Sequence, residues 1–470
     1  MRKPPISAGI FALALVAGPF APAGVSAQSE LRLFGEPTSY TDVIDAFDED
    51  DPFDLNISIG YLRSQTSADI QREINCVPGA SGCPPPANPF AGSDRYVDIA
   101  EHNHLVNTLE IGLDVGLWHD LALYGRLPIV LSDTRKLTAP DGGTAATANT
   151  FLQLTEPGAT TPTHLFTVPF ESPTRSGIDH VELGLAWAIM NQHRDPEEPT
   201  WLFLIEGHLG VGTEMSPCFA EAPAGRSRCT GGTEPGISRG THALRLETRA
   251  SRRFRYIEPY GGLLFHVEFP AGAEDAFEPG GDLSGFMNTI PPIVGELTAG
   301  VALIPWEQRA RWQRFVIDLR LNAAYISEGH GYSPLYDALG TSSTRYLTEP
   351  NNECADPSES PECSPVVFTG LTDTQSHGRF GGRVALEMQA AQYIRFELGA
   401  ALFYESPYLA TYADACNPNV SPSLDDPRMG TCRNGIINPH HRSAIDLPGQ
   451  RFKVDGSVTF DFFASATAQF

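Results

Sequence analysis

The sequence predicts an all-β chain: a transmembrane, antiparallel, up-and-down barrel of about twelve strands. Three observations predict it. Apolar residues alternate with small or polar ones over segment after segment, the period-2 signature of strands with one apolar and one wet face. The connections between these segments alternate strictly between short, 3 to 9 residues, and long, 22 to 49 residues. Beyond residue 27 no run reaches the 18 consecutive apolar residues of a spanning helix, so a helical membrane protein is excluded.

Met1–Ala27 reads as a cleaved signal peptide, with Arg2 and Lys3 as the basic start, Ile10–Ala17 as the apolar centre and Val25-Ser26-Ala27 as a small-residue cleavage site. Residues 28–52 follow as an acidic segment with Asp45, Asp48, Glu49, Asp50 and Asp51, expected to be a solvated periplasmic lead-in. The barrel itself is expected over 53–470.

The first strand, 53–64, sets Phe53, Leu55, Ile57, Ile59 and Tyr61 against Asp54, Asn56, Ser58 and Gly60. Strand two (103–117) and strand three (121–131) flank a tight reversal at Trp118-His119-Asp120. Strands four (178–190) and five (200–213) carry Leu183, Leu185, Trp187, Phe203 and Ile205 on the apolar face. Strand six (240–250) has the weakest alternation, and strand seven (255–269) follows Arg252-Arg253-Phe254. Strands eight (292–304), nine (314–327), ten (377–389) and eleven (393–404) repeat the pattern. The closing strand, 451–470, puts Phe452, Val454, Val458, Phe460, Phe462 and the terminal Phe470 on one face. It is expected to pair with strand one so that no edge is left open in lipid.

Charge and cysteines narrow the function. The signal peptide holds two of the 32 basic residues and none of the 57 acidic ones, so the mature chain stands at −27. That excludes nucleic acid as a partner. Eight cysteines fall as close pairs, Cys76/Cys83, Cys218/Cys229, Cys354/Cys363 and Cys416/Cys432, all in long connections. In an exported chain they read as local disulfides stapling surface loops; their spacings do not match a zinc site.

Strand parity sends the ionisable residues inward, because a charge on the lipid face costs about 2–4 kcal/mol near the midplane. Glu110, Arg126, Asp318, Arg320, Arg383, Glu387, Arg395 and Glu397 are the expected lumen charges, able either to pair across the interior or to line a wet channel. One cluster is sharper. His180 and Glu182, Glu206 and His208, and His266 and Glu268 share the inner face, most of them toward the outer mouth. Imidazole beside carboxylate can ligate a transition metal or act as acid and base in hydrolysis; a hydrated, charged wall is the plainer reading. No motif sets a serine beside these histidines, so no catalytic residue, metal or cofactor is assigned.

The alternating strands, the alternating connections and the terminal Phe470 together resemble bacterial outer-membrane β-barrel proteins of the porin and transporter-like class, with no subfamily identified. The resemblance implies short turns in the periplasm and long loops outside. It implies outer-membrane lipid and lipopolysaccharide as surroundings, and insertion machinery that reads Phe470. It also implies a narrow passive channel for small solutes or cations, since twelve strands enclose little space. The alternatives are a non-conducting barrel that binds through its external loops, and a barrel-embedded hydrolase. No plug domain is expected before the barrel.

Overall fold

The computed structural model describes residues 37–44, 46, 54–75, 94–154, 160–272, 288–348, 368–413 and 441–470. Twelve antiparallel strands form a closed transmembrane barrel. They are β1 (Leu55–Asn75), β2 (Asp94–Trp118), β3 (Leu121–Thr138), β4 (Arg175–Ile178 and His180–Met190, interrupted at Asp179), β5 (Thr200–Gly210) and β6 (Thr241–Ser251). β7 (Ile257–Pro270), β8 (Val294–Gln308), β9 (Gln313–Ile326), β10 (His377–Ala391), β11 (Ile394–Glu405) and β12 (Phe452–Gln469) complete it. Each expected strand is present.

Closure is made by β12. It pairs with β11 from Ile394↔Ala468 to Glu405↔Ser457 and with β1 from Asn56↔Gln469 to Arg72↔Phe452. The last residue takes part: Phe470 and Leu55 exchange main-chain hydrogen bonds of 2.8 and 2.9 Å. Every edge is thereby satisfied, as a lipid-facing sheet requires.

Side chains sort by parity. Ile59, Leu113, Leu183, Leu185, Ile205, Leu263, Phe265, Leu297, Leu321 and Leu402 lie exposed on the outer surface. This is the apolar belt of a membrane barrel. Trp118, Phe254, Trp306 and Trp312 stand exposed by the short turns, where an interfacial girdle belongs. Three short turns place a non-glycine residue at positive φ, His119 (44°), Arg255 (36°) and Trp312 (53°), a conformation L-residues rarely adopt.

The wall is not of even height. β4, β5 and β6 have main runs of 11 residues, close to what a tilted strand needs to cross the hydrocarbon. β1 and β2 run for 21 and 25 residues. Strand one therefore does not end at residue 64, and strand three passes its expected end at 131 to reach Thr138. These extensions stand above the membrane and support a folded cap.

The cap corrects the picture of long polar loops. Ile70, Ile99 and Leu137 from the extended strands pack with Leu152, Leu165, Phe166 and Phe170 from the β3–β4 connection. Leu335, Leu339 and Leu347 from the β9–β10 connection, Tyr408 and Tyr412 beyond β11, and Ile445, Phe452 and Val454 complete one apolar cluster. Among the described residues, four short helices belong to the cap: α1 (Ala145–Phe151), α2 (Tyr336–Gly340), α3 (Arg345–Thr348) and α4 (Ser443–Asp446). A buried ion pair anchors it. The Arg175 guanidinium grips Asp337 at 2.6 and 2.9 Å and donates to the Ser216 carbonyl at 2.9 Å, and the Cys218 amide donates to the same carboxylate at 3.0 Å.

Of the four disulfides expected from cysteine spacing, one falls in the described part of the chain. Cys218 and Cys229 are bridged beside the Arg175–Asp337 pair. The other three expected pairs, Cys76 with Cys83, Cys354 with Cys363, and Cys416 with Cys432, lie outside the described residues. So does the expected signal peptide.

Candidate functional site

The barrel interior holds the functional candidates, in two tiers.

The tier near the short turns is occupied by the chain itself. Residues 37–44 lie inside the barrel rather than in solvent, so this part of the expected lead-in is corrected. Thr38, Tyr40 and Thr41 are buried. The Thr38 amide donates to Glu258 at 2.9 Å, and the Thr41 hydroxyl lies 2.6 Å from that of Ser251. Ser39 donates to Glu387. Arg314 donates to the Pro37 carbonyl at 3.1 Å, Arg249 to the Tyr40 carbonyl at 3.2 Å, and Arg395 to Asp42 at 3.1 Å. The Tyr40 ring stacks on Tyr260 at 4.2 Å, with the Arg320 and Arg249 guanidiniums 4.6 and 5.1 Å from its centroid. Gly262 makes this approach feasible: a Cβ there would collide with the Tyr40 hydroxyl. Ala46 then forms a two-bond bridge with His119 at the β2–β3 turn, at 2.9 and 3.0 Å. The physical reason is chemical matching. The stretch Thr38–Thr41 is neutral, polar and aromatic, and the lumen offers it acceptors and cations.

The expected lumen charges fall on this inner wall, mostly paired. Arg126 pairs with Asp114 and reaches Glu110 at 4.0 Å. Asp318 pairs with Arg320 at 3.2 Å, and Arg383 with Glu397. Arg320, Glu387 and Arg395 touch the inserted segment, as described above. Phe470 sits exposed at the short-turn rim.

The upper tier is the histidine and glutamate cluster on β4, β5 and β7. Glu182 and His208 are direct register partners on neighbouring strands. Glu206 lies 2.7 Å from His208 Nε2, and His266 lies 3.4 Å from Glu268. The His180 and His208 rings are 4.9 Å apart and nearly parallel, and His266 is 5.5 Å from His208. The six residues read from sequence are therefore brought together.

Two neighbours were missed. Asp179 interrupts β4. Its carboxylate lies 2.9 Å from His180 Nδ1 and accepts from the Arg239 amide at 3.0 Å, while its carbonyl accepts from the Val211 and Gly212 amides. Arg239 pairs with Glu268 at 3.1 Å and is covered by Tyr332 of the cap. An ionisable residue off the alternation, beside His180, was the available signal for Asp179.

A paired chain joins the tiers. Arg249 holds Glu247 at 2.6 Å, Glu247 holds Arg245 at 2.9 Å, and Arg245 reaches Glu206 at 3.6 Å. Arg245 and Arg249 are four residues apart on β6, so the tiers are separated by roughly 13 Å along the strand.

No family model and no curated protein matches the chain. Solved structures similar to it include the COG4313 outer membrane channel from Pseudomonas putida F1, at 8% identity and TM-score 0.39, over 92% of this chain and 99% of that one. A Pseudomonas aeruginosa FadL homologue gives 9% and 0.31 over 88% and 90%. The outer membrane protease OmpT from Escherichia coli gives 7% and 0.27 over 92% and 100%. At TM-scores this low, none of these likenesses bears on function.

Proposed function

We propose that the protein is a bacterial outer-membrane channel for small hydrophilic solutes or cations, held shut at its periplasmic end by its own residues 37–44. The observation that carries this reading is the kind of contact the segment makes. It is bound by hydrogen bonds, one aromatic stack and cation contacts, which water can largely replace. Its apolar burial is slight: Tyr40 and Val43 meet small clusters of the wall. A permanent seal would bury much apolar surface; a removable one need not. The carboxylate excess around the upper tier, Asp179, Glu182, Glu206 and Glu268 against Arg239 and Arg245, favours cations. The exposed aromatic Phe470 at the rim fits a recognition signal for the insertion machinery.

Planar-bilayer recordings of the mature chain and of a chain lacking residues 28–46 test this. The truncated barrel is expected to carry steady current and the full chain brief openings. If the truncated chain, folded by heat-modifiable migration, passes no current, the channel reading fails. The barrel is then a non-conducting surface protein that works through its cap, a reading that the cap's packed core favours.

A further inference from the structure

The upper tier has a donor set that ion pairing alone does not explain. Three imidazoles converge on one patch of wall. One ring nitrogen each from His180 and His208 and a carboxylate oxygen of Glu182 all lie within 4.8 Å of one another. Two of the three histidines have a ring nitrogen engaged by a further carboxylate: Asp179 at His180 Nδ1, 2.9 Å, and Glu206 at His208 Nε2, 2.7 Å. The second nitrogen of His180, Nε2, faces Glu182 at 3.1 Å. A carboxylate on one imidazole nitrogen orients the ring and makes its other nitrogen a better donor, the usual arrangement behind a metal-ligating histidine.

We propose that His180, Glu182 and His208 form a binding site for a divalent transition metal ion of the zinc class. Two imidazoles and a carboxylate suit zinc, cobalt, nickel or copper; calcium and magnesium prefer all-oxygen shells. Bonds of about 2.0–2.1 Å set tetrahedral donors roughly 3.3 Å apart, so the ion draws the three side chains inward by small rotations. His180 and Glu182 lie two residues apart on one strand face, and Glu182 faces His208 across the ladder. The wall itself thus sets the spacing. Three protein ligands leave at least one position open to water or a passing solute, as in sites that exchange or activate a ligand. His266, 5.5 Å from His208 ring to ring, stands close enough to serve as an alternative donor.

The neighbouring charges tune the site. Glu206 shares itself with Arg245 at 3.6 Å, and Glu268 with Arg239 at 3.1 Å. These arginines tie down two carboxylates and leave Glu182 as the acid grouped with the two imidazoles. The site does not depend on the channel reading: a barrel that conducts nothing would hold the same ion.

The test is calorimetric titration of the refolded mature chain in detergent micelles with zinc, and with cobalt followed by its visible absorption. One ion per barrel is expected, with a cobalt spectrum of nitrogen and oxygen donors. His180→Ala and His208→Ala should each weaken binding at least about 100-fold, the upper end of what losing even an outer-shell partner costs. Asp179→Asn should weaken it about tenfold through the His180 ring. Glu182→Gln is isosteric and keeps the decision available where an alanine variant does not fold, as judged by heat-modifiable migration. Absence of binding by the wild-type chain overturns the site, as does affinity unchanged by His180→Ala, His208→Ala and Glu182→Gln.

Discussion

The two ends of this barrel are built by different physics. The cap over the long-loop mouth has an apolar core drawn from several connections, a buried Arg175–Asp337 pair and a disulfide. The segment at the other end has no apolar core of its own and is held mainly by polar and aromatic contacts to the wall. Burial of apolar area makes the cap a small folded unit that comes apart only by unfolding. Exchangeable hydrogen bonds, each worth about 0.5–1.5 kcal/mol net, make the other end reversible. Of the two ends, only the lower is built to move.

The sharpest way to break this comparison is at Asp337. Asp337→Ala leaves the Arg175 guanidinium buried without its counter-charge, so the cap should lose about 3–5 kcal/mol. Limited proteolysis of the loops should accelerate while heat-modifiable migration of the barrel stays as in wild type; equal loss of both would show cap and barrel to be one cooperative unit. Replacing Cys218 and Cys229 by serine releases a crosslink of sequence separation 11, worth about 3 kcal/mol in the chain-entropy account. Denaturant titration of the wild-type and serine-substituted chains should show that difference in the cap transition.

At the lower end, Tyr40→Ala removes one aromatic stack and two cation contacts, together about 2 kcal/mol. That corresponds to an open fraction about 30-fold higher, readable as mean current, with cap proteolysis unchanged. The gentlest probe is pH. Burial pushes the Asp446 carboxyl up to about 7, against the opposing hydrogen bonds from the Arg442 and Tyr412 amides. A carboxyl whose pKa is raised on folding favours the fold where it is protonated. Its contribution is therefore present in acid and lost as pH rises through about 7. Between pH 5.5 and 8 the cap should lose at most about 2 kcal/mol from this group. Cap proteolysis measured across that range should be faster at pH 8, and Asp446→Asn should flatten the dependence.

The strands were legible because lipid imposes a rule on every second residue. Leu183, Leu185, Trp187 and Ile189 must face out, so Glu182 and its row must face in, and the histidine cluster followed from parity alone. The cap obeys no such rule. Leu152, Leu165, Phe166 and Leu335 meet through tertiary packing between distant connections, without a period to betray them, and their segments read as polar loops. The inserted segment was hidden for a related reason. Thr38-Ser39-Tyr40-Thr41 is neutral, but it precedes the acids Asp42, Asp45, Asp48, Glu49, Asp50 and Asp51, and the acids dominated the reading. The extra length of β1 and β2 was missed because those upper turns face the cap and water rather than lipid, so the alternation decays although pairing continues.

Ala46 is bridged to His119, and β1 starts at Leu55. Only residues 47–54 separate the inserted segment from the wall. It is a ligand that can never diffuse away. Its local effective concentration is of roughly millimolar order, as for any partner on a short link. Occupancy is then a unimolecular equilibrium, the same in a dilute bilayer as in a crowded membrane. A free peptide copied from residues 37–46 would have to approach millimolar levels to compete with the tethered one.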